Sequence, residues 1–230
     1  MPANIETHQL IEQLAGRAQP MARMLPPWRR TALWLGASFA YVGVVAAACV
    51  LVSGGLPGAI GARLALELGA ILATAATAAI AAFSSVVPGR DRRFLLLPLL
   101  PLAIWLATLG QGCLHDWQAF GAAGLNVRAD WDCALPALIL SVLPAGAMLA
   151  MLRRGAPLLP GVSLALDALA AAAIANFGLR IFHAGDVSIQ ILVWHLGGAA
   201  LLSIAASQAG YLLLNWRAWV VRGCSPLTIR

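Results

Sequence analysis

Cys113, His115 and Asp116 lie within a few residues of one another, Asp132 and Cys133 are adjacent, and His183, Asp186 and His195 follow further along the chain. Thiolate and imidazole are the ligands that soft and borderline metal ions prefer, and a thiolate is also the group that oxidants attack. Three chemistries fit Cys113 and Cys133: metal or redox sensing with His183 and His195 nearby, a disulfide, or two unrelated thiols. A disulfide closing a loop of about twenty residues would contribute on the order of 3 kcal/mol in an oxidising compartment. The ligand set for a transient metal ion would be Cys113, Cys133 and His183, although none of these residues has the tight spacing of a zinc finger or a metalloprotease helix. Cys49 reads as packing, and Cys224 as a reduced thiol.

A second group of polar residues stands inside apolar runs, where ionisable side chains are costly. It comprises Glu67, Asp167, Asn176, Arg180 and His195. Spacings of four and three residues put Asn176, Arg180 and His183 on one helical face. A satisfied interhelical network, or snorkelling, is the weightier reading of Asp167, Asn176 and Arg180 over a transport pathway. The alternative is a small transporter or an intramembrane metal or haem protein using Asp167, Arg180, His183 and His195. Nothing pairs a nucleophile with a base, cradles a phosphate or carries a zinc motif, so the sequence has no enzyme signature.

The elements that must position these residues follow from the arginines. All 15 basic residues are Arg, and most fall in four tracts: Arg17 to Arg30, Arg90 to Arg93, Arg153 with Arg154, and Arg217 to Arg230. These tracts occupy alternate connections between apolar runs. Arg near a span is retained on the cytoplasmic side, so both termini are expected to be cytoplasmic with an even number of crossings. Six stretches suit a hydrocarbon core about 30 Å thick: Thr31–Val52, Leu64–Val87, Phe94–Gly112, Cys133–Leu152, Pro160–Phe182 and Ser188–Leu214.

The composition agrees, with 61% hydrophobic and 10% charged residues. A soluble protein has roughly 45–50% apolar and about 25% charged residues. The expected fold is therefore an all-α integral membrane bundle of six transmembrane helices in the inner membrane, with the lipid bilayer as its surroundings. The net charge of +6 follows from the positive-inside arrangement, so direct nucleic-acid binding is not expected. Alanine-rich stretches at Ala73–Ala82 and Ala168–Ala175 allow close helix approach, and Pro98, Pro101, Pro136 and Pro144 are tolerated as kinks. The first apolar run is longer than a signal-peptide core and is expected to stay uncleaved.

Residues 1–28 read as a cytoplasmic arm, 31–214 as the bundle and 215–230 as a cytoplasmic tail. Within the arm, Asn4–Ala15 has the pattern of a short amphipathic helix, with Ile5, Leu10, Ile11 and Leu14 along one side. About twelve residues are marginal as an isolated helix, so the stripe needs a surface to cover. Its polar side carries Glu6, His8, Gln9, Glu12 and Gln13, whereas membrane-surface helices are rich in Lys and Arg. A protein groove fits it better.

Several of these features together resemble the bacterial family of six-span anti-sigma factors named after the negative regulator of sigma F. They are the arm with Leu10-Ile11 and Leu14-Ala15, then Pro26-Pro27 and Arg29-Arg30; Trp131-Asp132-Cys133; Arg153-Arg154-Gly155-Ala156-Pro157; His183; and Trp194-His195. The resemblance implies a non-enzymatic membrane protein without a resident cofactor. Such a protein would hold an extracytoplasmic-function sigma factor at the inner face, here through the arm, and release it on a periplasmic heavy-metal or oxidative signal. Cys133 matches one family cysteine. Where the family places another after His183 this chain has Ala184, which leaves Cys113 as the candidate second thiol.

Overall fold

Apolar runs rich in Ala and Leu must satisfy their own backbone groups in lipid, which helices do internally. The computed structural model describes residues 3–17, 25–53, 61–121, 131–155, 158–182, 189 and 192–214, and those residues form helices and short connections with no strand. In chain order they are α1 (Ala3–Arg17), α2 (Pro27–Ser53), α3 (Ala62–Ser85), a 3₁₀ turn (Arg92–Leu96), α4 (Leu99–Phe120), α5 (Trp131–Leu152), α6 (Pro160–Phe182), a π turn (Leu192–Leu196) and α7 (Gly197–Leu213). Among the described residues five stretches are long and apolar enough to cross a bilayer: Pro27–Ala48, Ala62–Ser85, Arg92–Phe120, Pro160–Ile181 and Leu192–Gly210. α5 is a further apolar helix of 22 residues with Pro136 and Pro144 inside it.

Several boundaries differ from the sequence expectation, and two of the differences have a direct physical reason. α2 begins at Pro27 rather than Thr31, because the fixed φ of proline suits the first helical position, and this brings Arg29 and Arg30 onto the helix. The third apolar run does not stop at Gly112. Leu114, Trp117 and Phe120 continue an apolar row at three-residue spacing, and α4 ends only at Gly121, which adopts φ 59°. Cys113, His115 and Asp116 therefore lie on helix, not in a connection.

The core is built around α6, which packs against α2, α3, α5 and α7. Both α6 and α3 carry enclosed alanines, Ala170, Ala173 and Ala175 on one helix and Ala75, Ala78, Ala79 and Ala82 on the other. Small side chains let the two backbones approach where lipid supplies no hydrophobic drive. The pair is antiparallel, with Ser85 Oγ 2.7 Å from Ser163 Oγ at one end and Arg180 bonded to Glu67 at the other. α6 and α7 meet through glycine, since a Cβ on Gly210 would lie 2.6 Å from Gly161 Cα.

The described arginine tracts gather at one end of the bundle. Arg30 stacks on Phe83 at 4.5 Å and donates from Nη2 to the carbonyl of Met151. Arg153 Nε donates to the carbonyl of Leu213 at 3.3 Å. Arg90 and Arg92 line a cleft with Ser84 and Leu158. Met151 and Leu213 sit at the C-terminal ends of α5 and α7, whose last carbonyls lack partners within the helix and attract cations.

Candidate functional site

The arm forms a helix from Ala3 to Arg17, slightly longer than the pattern Asn4–Ala15 required. Leu10 and Ile11 are adjacent on it and more than half exposed, at 55% and 56%. The side chains of Ile5 and Leu14 lie outside the described residues.

At the end of the bundle opposite the arginine tracts, Cys113 is a half-buried free thiol on the last turns of α4. Asp116 lies one turn beyond it on the same helix. His115 Nδ1 lies 3.7 Å from Asp116 Oδ1. Among the described residues no three His, Cys, Asp or Glu side chains converge to hold a metal ion. Cys133 occupies the first turn of α5 and His195 the π turn ahead of α7, but their side chains lie outside the described residues. His183 and Asp186 lie outside them altogether, so the proposed metal set is not assembled from what is described.

The buried polar residues of α6 do have a described arrangement. Arg180 Nε donates to Glu67 Oε1 at 2.9 Å and Nη2 to Oε2 at 3.4 Å. Glu67 is fully buried and Arg180 is 6% exposed, so this is a two-bond ion pair shielded from solvent. Asn176 donates to the Ala172 carbonyl of its own helix at 2.8 Å. Asp167 is thirteen residues from Arg180, about 20 Å along the helix axis. It also faces away from Asn176, since nine steps of about 100° reach the opposite side of a helix. Asp167 and Arg180 thus do not share a site. The interhelical reading holds for Arg180, whose partner Glu67 comes from another helix.

Sequence reasoning missed that pairing although a signal existed. Glu67 and Arg180 are opposite charges near the same expected side of two apolar spans, where each needs a partner. It also missed the π turn at Leu192–Leu196, for which Gly197-Gly198 just beyond is the only hint.

A family model described as negative regulator of sigma F matches residues 14–216. The chain belongs to that family. No curated protein and no solved structure matches it. The match takes in the bundle with Glu67, Cys113, Cys133, Arg180, His183 and His195, and it begins at Leu14. Ile5, Leu10 and Ile11 precede the matched residues. Membership in the negative regulator of sigma F family makes this a regulator of a sigma factor.

Proposed function

We propose that the protein is an inner-membrane anti-sigma factor with six spans and both termini in the cytoplasm. Its arm holds an extracytoplasmic-function sigma factor, and a heavy-metal or oxidative signal in the periplasm, received at Cys133 with Cys113, releases it. Family membership supports the sigma-factor partner. The gathering of Arg30, Arg90, Arg92 and Arg153 at one end supports the orientation, because that end belongs on the cytoplasmic side.

The observation that carries the binding assignment is the exposure of Leu10 and Ile11 side by side on a helix of 15 residues. An apolar pair left uncovered on a short helix is the feature that a partner groove covers. Each Leu or Ile so buried contributes about 1.5–3 kcal/mol. Leu10→Asp with Leu14→Asp is therefore expected to abolish co-purification of the sigma factor and leave its regulon on, while the bundle inserts normally. Retention of the partner by that variant would remove the arm as the binding element.

A further inference from the structure

Three side chains of α2 donate hydrogen bonds to backbone carbonyls of α5. Arg30 bonds to Met151, Trp34 Nε1 to Pro144 at 2.9 Å, and Tyr41 Oη to Ile139 at 3.3 Å. The partners run in opposite order along the two helices, so the bonds form one antiparallel ladder. The donors are four and seven residues apart, which places them on one face of α2. At 1.5 Å per residue the ladder covers about 16 Å, roughly half of a hydrocarbon core.

Every acceptor is backbone. The link therefore follows the path of α5 itself, including its course through Pro144, whose carbonyl receives the buried Trp34. Beyond the ladder, α2 rests on α6. Phe39 meets Phe177 edge to face at 5.7 Å, and a Cβ on Gly178 would lie 2.8 Å from Val42 Cγ1 and 3.8 Å from Leu140 Cδ1. α2, α5 and α6 thus converge at Gly178, on the helix whose span is the most enclosed of the five.

We propose that Arg30, Trp34 and Tyr41 hang the arm-bearing helix on α5, so that displacement of the Cys133 end of α5 is delivered to the root of the arm. α6 is the support against which the pair shifts. The donor nearest the arm, Arg30, stands three residues inside α2, so any change in the path of α5 at Met151 is felt where the arm joins the bundle. This names the regulation of the arm and rests on the reading of the arm as the binding element. The mechanical link itself can be tested without any sigma factor.

The test is hydrogen exchange of the full-length chain in lipid nanodiscs, read at the amides of α1 and of Trp28 to Thr31. Two changes displace α5: Cys133→Trp adds bulk at its first turn, and Pro144→Ala restores a helical hydrogen bond. At least one of them is expected to alter exchange at the arm root by about fivefold, the factor corresponding to one hydrogen bond. In a Trp34→Phe, Tyr41→Phe background the same change should produce less than about a twofold effect. Arg30→Lys in place of those substitutions should damp the response in the same direction. If neither α5 change reaches the arm root, or if both backgrounds respond equally, the ladder is not a coupling device. Sigma-factor retention by Leu10→Asp with Leu14→Asp is a separate measurement, so failure of the binding assignment and failure of the ladder are told apart.

Discussion

α3 and α6 are joined by alanine surfaces and a buried ion pair, whereas α2 and α5 are joined by side chains that bond to backbone. Half of the α3 span and 72% of the α6 span are enclosed, against 22% of the α2 span. The first pair gains its contact from close packing along its whole length, so any relative motion would open voids in a dense interior. The second pair meets through three side-chain donors, and α2 exposes most of its remaining surface while α5 also packs on α6. Hydrogen bonds to carbonyls can follow a helix through small tilts in a way that interlocked alanines cannot. In the proposed coupling α3 and α6 are therefore the fixed centre, and α2 on its ladder to α5 is the movable flank that carries the arm.

The largest expected effect tests the fixed centre. Glu67→Ala leaves the buried Arg180 without its carboxylate and should destabilise the bundle by about 3–5 kcal/mol, measured by denaturation in mixed micelles. Replacing both partners by Met should recover most of the loss, since the single lesion costs mainly through the stranded charge. A loss below about 1 kcal/mol, the scale of a solvated pair, would erase the distinction between the two regions.

Gly178 is the point where centre and flank touch, and a substitution there should have a smaller effect. Gly178→Val puts a Cβ within 2.8 Å of Val42 Cγ1. Overpacking of this kind costs about 1–3 kcal/mol. Val42→Ala in the same chain should return part of it. If Gly178→Val is neutral, α2 does not bear on α6 at this position.

Much of the centre was legible in the sequence. Pro160 and Phe182 bound α6 as the apolar run indicated, because proline suits the first turn and polar residues follow the last. The alanine runs marked the tight contact, and the arginine tracts marked the end of the bundle at which they gather. The extension of α4 to Phe120 was hidden by Gly110 and Gly112, which read as an end but interrupt no hydrogen bond. The flank was not legible: the acceptors for Arg30, Trp34 and Tyr41 are main-chain carbonyls, and every residue has one. Cys133, His183 and His195 remain candidates from the sequence, since their side chains fall outside the described residues.

Tyr41→Phe should have the smallest effect and is the sharpest test of the flank. The ring stays, and only a half-exposed hydroxyl with a 3.3 Å bond to Ile139 is lost. Side-chain hydrogen bonds between helices in membranes average about 0.6 kcal/mol, because in the separated state the donor finds other partners. The stability loss should therefore stay below about 1 kcal/mol. Its effect on coupling need not scale with stability, since Tyr41 is the ladder donor nearest the Cys133 end of α5 and the first to receive any displacement from it. The expected outcome is a bundle of near-normal stability whose arm root responds less to Cys133→Trp. A full response in Tyr41→Phe would confine the coupling to Arg30 and Trp34, and shorten the movable flank to the arginine half of α2.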